Sequence, residues 1–221
     1  MSSGPRSRSK SAADFLPSSH SLKALRKAAA ACQGCELYRR ATQTIFGEGP
    51  ASARLMLIGE TPGNQEDLAG HPFVGAAGNL LDEALAAVGI DRKSTYVTNV
   101  VKHFKWNPRG RLRLHGKPTA SEIAACRPWL EAELDAVSPE IIVCLGATAA
   151  QALLGKNFRV TRQHGEVLSG LDGERIVATY HPAAVLRAPD DRRAAMRAEF
   201  VKDLQTVSDW LGKTKVRRAA K

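Results

Sequence analysis

The segment Leu55-Met56-Leu57-Ile58-Gly59-Glu60-Thr61-Pro62-Gly63 is followed, after a polar stretch, by His71-Pro72-Phe73-Val74-Gly75. Its first four residues form a short apolar run that reads as a buried strand. Beyond the second motif, Leu80, Leu81, Ala84, Leu85 and Val88 recur at helical spacing. Glu60 therefore stands at the carboxyl end of a strand, in a turn rich in Gly and Pro. That is where open α/β sheets bind their ligands. The glycines let a backbone come close to a ligand, and Phe73 offers a flat apolar face beside the acid.

Working outward, strand-like runs appear at 54–58, 95–101, 140–145 and 175–179. Helical stretches at 77–89, 119–136, 147–154 and 190–211 separate them, and an earlier one covers 21–31. Strand and helix alternating in this way imply an α/β fold, a mostly parallel sheet covered on both faces. Residues 1–20 are Ser-rich and basic and read as a flexible arm, 21–211 as the domain, and 212–221 as a basic tail carrying Lys213, Lys215, Arg217, Arg218 and Lys221. No internal repeat is visible.

A chain of 221 residues with 43% hydrophobic content builds a real core in one domain. Lys and Arg outnumber Asp and Glu by 32 to 22, a formal charge of +10 with a pI near 9.8. That balance favours a polyanionic partner, nucleic acid before membrane. No apolar run approaches the length needed to span a bilayer, and the N-terminus lacks the apolar centre of a secretory signal. A cytosolic location follows as the default expectation, and there cysteines serve as metal ligands, redox groups or core residues more often than as disulfides.

Cys32-x-x-Cys35 puts two soft ligands on one turn, a spacing used for zinc and for iron–sulfur clusters. Of the other two cysteines, Cys144 lies inside Ile141-Ile142-Val143-Cys144-Leu145 and reads as a small core residue. Cys126 is the better third ligand, and His103 is a candidate fourth. From Val100 to Ser121 there is no acidic residue, while eight Lys, Arg and His residues interleave with Phe104 and Trp106. Cations beside aromatics suit phosphate contact and base stacking; a solvated positive loop is the plainer alternative. Within this stretch Arg111-Leu112-Arg113-Leu114-His115 ends in an imidazole able to act as nucleophile, acid or base near neutral pH. Ile176-Val177-Ala178-Thr179-Tyr180 is a strand followed by His181-Pro182, so His181 is promoted by the same argument as Glu60. With Asn99 at the end of the 95–100 strand, these groups would line one polar crevice.

Taken together, Cys32-x-x-Cys35, Gly59–Gly63, Gly70–Gly75, Thr98-Asn99-Val100-Val101-Lys102, Ala125–Leu130, Leu145-Gly146-Ala147-Thr148 and His181-Pro182 resemble the uracil-DNA glycosylase superfamily. The likeness is to its iron–sulfur-bearing family 4 and the related UdgX group, and runs from about Cys32 to Leu211. It implies a three-layer α/β/α sandwich around a mostly parallel four-stranded sheet, a monomer, uracil-containing DNA as partner (single strands included) and a nucleoid-associated cytoplasmic location. Such an enzyme must reach a base flipped from the stack and stabilise both an oxocarbenium-like sugar and a uracil anion.

By the resemblance, Phe73 stacks on the base, Asn99 bonds its pairing edge, and His181 donates to the carbonyl where negative charge grows. Thr61 and Gly63 complete the base site, and Glu60 stabilises the cationic sugar. Cys32, Cys35, Cys126 and, as in the UdgX group, His103 hold a 4Fe–4S cluster. The 111–115 loop resembles the UdgX insertion, whose histidine attacks the sugar and stays bound to it. Here that role falls on His115, with Arg113 positioning the loop through phosphate or backbone contacts. Thr61 stands where the group commonly has Gln, and Leu112 and Leu114 where a basic residue and an isoleucine are usual. An ordinary glycosylase that uses an activated water, and a non-catalytic DNA-binding module, are the competing readings.

Overall fold

The structure, a computed structural model, describes residues 10–170 and 173–219. Seven strands occur among the described residues: β1 (Leu55–Gly59), β2 (Tyr96–Asn99), β3 (Trp106–Arg109), β4 (Leu112–His115), β5 (Ile141–Leu145), β6 (Val167–Ser169) and β7 (Arg175–Thr179). The helices are α1 (Leu22–Ala29), α2 (Asn64–Ala69), α3 (Ala76–Ala87), α4 (Ala120–Val137), α5 (Ala147–Leu154), α6 (Val160–Gln163), α7 (Pro182–Leu186) and α8 (Asp190–Ala219).

The main sheet runs in the order β2-β1-β5-β7-β6. Its first four strands are parallel, and β6 is antiparallel on β7. The sheet thus has five strands where four were expected. Three residues, two of them exposed, are too short to show a hydrophobic period, so β6 left no signal.

Strand alternation sorts the core into two halves. Met56, Ile58, Ile142, Cys144, Ile176 and Ala178 face α1, α4 and α5, meeting Leu25, Trp129 and Ala149. Leu55, Leu57, Val97, Ile141, Val143, Leu145 and Val177 face α3, α7 and α8, meeting Leu81, Val185 and Phe200. A sheet buried on both faces between helices is the three-layer α/β/α sandwich expected. Cys144 is fully buried in it, as its place in an apolar strand indicated.

Both ends of the described chain carry helical structure. Residues 1–9 lie outside the described residues, but Ala12–Phe15 forms a helical turn with Ala12 fully buried. That turn crosses the Cys32–Cys35 segment so closely that a Cβ on Gly34 would lie 2.6 Å from the Ala12 nitrogen. At the other end α8 continues through Ala219, so most of the expected basic tail is helical.

Candidate active site

The carboxyl ends of the four parallel strands lie side by side, with Gly59 level with Asn99 and Leu145 level with Thr179. Above them opens a cavity of about 340 Å³. Glu60 and Thr61 enter it after β1, Asn99 from β2, Gly146 and Thr148 after β5, and His181 after β7. Gly63, Phe73 and His115 complete the expected set. Glycine is required where the segments meet. A Cβ on Gly59 would come within 2.6 Å of Phe73 Cζ, and one on Gly146 within 2.9 Å of His181 Cβ.

Each polar group is held. Thr148 Oγ1 donates to Glu60 Oε2. Asn99 is buried, and its carbonyl accepts from Lys102 Nζ at 2.6 Å. Lys102 itself is fully buried, paired with Glu133, which also accepts from Tyr96 and Thr98. Phe73 has a left-handed backbone, φ 57°, at a cost of roughly 1–3 kcal/mol for a bulky residue. Glu66 supplies the compensation: its carboxylate accepts from the N–H groups of Gly63 (3.0 Å), Val74 (3.1 Å) and Gly75 (2.9 Å), joining both motif loops. His181 stacks on Phe73 with centroids 6.0 Å apart. Its Nδ1 accepts from the Ala183 N–H at 3.1 Å, so in the neutral ring the proton sits on Nε2. Burial, with Arg187 and His115 adding repulsion, pushes the His181 pKa down to about 4. It is a neutral donor at pH 7.

A family model described as the uracil DNA glycosylase superfamily matches residues 46–205. The chain belongs to that superfamily. It is 36% identical over 196 residues to a type-4 uracil-DNA glycosylase of Archaeoglobus fulgidus, covering 82% of this chain and 89% of that protein. It is 39% identical over 181 residues to one of Pyrobaculum aerophilum, with 78% and 86% covered. A type-4 enzyme of Thermotoga maritima shares 36% over 183 residues, with 82% and 90% covered.

In this superfamily member the acid-free segment is a β-hairpin, where a loop was expected. Cross-strand pairing puts Trp106 opposite His115 and Pro108 opposite Arg113, which sets the inward side. His115 is exposed at the cavity rim, yet surrounding protein removes enough water from its ring to lower its pKa, with Arg187 lowering it further and Glu60 and Glu66 opposing. Arg113 does not reach the cavity. Its guanidinium pairs with fully buried Asp67 at 2.6 Å and with Asn64 at 2.7 Å, and lies over Phe104 and Trp106. It holds the hairpin to α2 through these contacts. The two aromatics are occupied likewise: Phe104 is fully buried and Trp106 donates to the Arg40 carbonyl. Thr61 Oγ1 donates to the His103 carbonyl at 2.9 Å, tying the first motif to the segment after β2.

Cys32, Cys35 and Cys126 lie in the half of the core formed with α1 and α4. Burial raises the Cys35 thiol, with Cys32 adding to it, and pushes Cys126 up to about 12, with Cys35 and Cys32 again contributing. Trp129 Nε1 donates to Cys32 Sγ at 3.2 Å, and the Lys102 N–H to Cys126 Sγ at 3.3 Å. His103, next to Lys102, is buried with Nε2 against Thr44 Oγ1 at 2.9 Å. Among the described residues no group of three or more His, Cys, Asp or Glu side chains is placed to hold a metal ion.

Sequence reasoning missed Glu66, Asp67 and Arg187. Both acids sit in a polar helical turn that looks solvated, although the Gly63-x-x-Glu66 spacing of a capping box was readable. Arg187, beyond α7, had no local signal.

Proposed function

We propose that this protein excises uracil from DNA. The observation that carries the reading is the convergence of Glu60, Phe73, Asn99, His115 and His181 on one cavity at the carboxyl edge of the sheet. Phe73 offers a flat apolar face for a planar base, and buried Asn99 supplies an amide for its pairing edge. A neutral His181 places its Nε2–H against the carbonyl oxygen that becomes anionic as the C1′–N1 bond breaks and its electron pair leaves with the base. Glu60 faces the positive charge left on the sugar. The named activity of the type-4 relatives supports this reading.

The sugar cation then meets either water or His115, and both routes use the same cavity. His115 stands in the same cavity as Glu60, and its lowered pKa leaves a free lone pair at pH 7. One ring nitrogen would bond to C1′, and the proton on the other would pass to Glu60, leaving a neutral covalent adduct as in the UdgX group. The alternative is hydrolysis, with Glu60 accepting a proton from water, as the type-4 relatives suggest. A uracil-containing oligonucleotide incubated with protein and run on a denaturing gel separates them. A slow band that His115→Ser abolishes supports capture, whereas free abasic DNA alone means turnover.

We also propose that Cys32, Cys35 and Cys126, with His103, would hold a 4Fe–4S cluster. Three neighbouring thiols, two already receiving N–H donors, fit the sulfur hydrogen bonding of such clusters. The cluster would fasten α4 to the Cys32–Cys35 turn and the segment after β2. Iron analysis and visible absorption of the purified protein test it: a colourless, iron-free protein contradicts the assignment.

A further inference from the structure

A second polar cluster, of His164, Tyr180, Glu199 and Asp203, does not line the cavity and has no part in the chemistry above. Three segments meet in it. His164 ends α6, Tyr180 follows β7, and Glu199 and Asp203 stand four residues apart on one face of α8. Asp203 is the centre, a carboxylate only 4% exposed. Its Oδ2 accepts from Thr179 Oγ1 at 2.6 Å and from His164 Nδ1 at 2.8 Å. The backbone leaves room for it: Gly165 has φ 76°, and a side chain there would collide with Oδ1. His164 is itself held, its ring centroid 4.7 Å from that of Tyr180 and its Nε2 4.0 Å from Glu199. Burial raises the Asp203 pKa, and the bonds from Thr179 and His164 oppose that rise. A buried carboxylate adds little stability over an apolar residue of the same shape, so what its bonds hold in place is the informative part.

They hold the approach to His181. Thr179 is the last residue of β7 and is fully buried. Its carbonyl accepts from the Gly146 N–H at 2.9 Å, and its hydroxyl donates to Asp203. The end of the strand is thus fastened to the β5–α5 turn through its backbone and to α8 through its side chain. His181 stands two residues on, with Tyr180 between them packed on His164. A hydrogen-bond donor to a developing anion works only at its productive distance, and a displacement of about 1 Å costs about 100-fold in rate. We propose that Asp203, braced by His164, is a positioning residue: through Thr179 it sets how far His181 Nε2 reaches into the cavity. This rests on the reading of His181 as the donor to the base carbonyl.

The test measures single-turnover uracil release from a single-stranded oligonucleotide by full-length wild type, Thr179→Val, Thr179→Ser and Asp203→Ala. Each change is also made in a His181→Gln background. Thr179→Val and Asp203→Ala should lower the rate constant by about 10- to 100-fold, whereas Thr179→Ser, which keeps the hydroxyl, stays near wild type. Affinity for an oligonucleotide carrying 2′-fluoro-deoxyuridine, which resists cleavage, should be unchanged. In the His181→Gln background neither change should slow release further, because residues that act through one another are not additive. Equal losses in the two backgrounds overturn the proposal, as does wild-type release by Thr179→Val. Melting temperatures are followed alongside. Should Asp203→Ala fail to fold, Thr179→Val decides, since it breaks the same bond. Failure of wild type to release uracil counts against the glycosylase reading alone. The ring NMR signals of His181 then decide the positioning: displaced in Thr179→Val and restored in Thr179→Ser they uphold it, and unchanged in both they overturn it.

Discussion

His181 stands two residues beyond the end of β7 and caps α7 with its own Nδ1, so two local backbone features fix both its place and its tautomer. An unfolded imidazole titrates near 6.5, and this one near 4 in the folded protein. Between those values the unfolded chain binds the extra proton. Stability is therefore intact above pH 6.5 and lost as pH falls toward 4, at up to about 1.4 kcal/mol per pH unit. Denaturant titrations at pH 7, 6 and 5 should show this decline, and His181→Gln should make it shallower, buried His103 keeping a share of it. The same substitution should cut uracil release roughly 10²–10³-fold, the usual loss for one donor to a developing anion. Single-turnover rates check it. Glu60, Asn99 and His181 were legible because each stands at or within two residues of the end of an apolar strand, and strand ends in a parallel sheet meet by topology. Arg187 was not, because its place depends on how α7 turns back toward the cavity.

Helix α2 has six residues, yet its two adjacent acids organise the site. Glu66 ties the Gly63 and Phe73 loops, and Asp67 holds Thr42 and Arg113. Side chains one apart on a helix diverge, so one turn serves two neighbours. Asp67→Ala should release the hairpin, costing about 1–3 kcal/mol as partners lose their buried acceptor. Chemistry dependent on His115 should fall with it, while inhibition by free uracil persists. Denaturation midpoints and gel-resolved adduct yield measure the two effects. Loss of free-uracil inhibition to the same degree would mean that Asp67 supports the base site instead. The hairpin was hidden because Pro108, Arg109, Gly110 and Arg111 carry no apolar alternation, and its inward residues are a cation and an imidazole.

At the scale of the whole molecule, two groups of residues stand apart. The cavity lies over the strand ends, and the cysteines lie in the half of the core formed with α1 and α4. Lys102 links them: its N–H reaches Cys126 while its Nζ holds the Asn99 carbonyl. On the proposed assignment, cluster loss should destabilise the fold and then lower uracil release through Asn99. Cys35→Ser should show reduced iron, a lower melting temperature and slower release together; unchanged stability with no iron would place the metal elsewhere. Alternating strands and helices made the layered fold readable, whereas the depth of the Lys102–Glu133 pair was not, since charged residues ordinarily stay at the surface. No helix of the described residues is long and apolar enough to cross a membrane.

The most direct measurement is release of free uracil from a single-stranded uracil-containing oligonucleotide by purified wild-type protein, with Asn99→Ala and His181→Gln alongside. The account predicts stoichiometric or greater release by wild type and a loss of at least about 100-fold in each variant. Intact glycosidic bonds with wild-type protein, or equal release by all three, would contradict it.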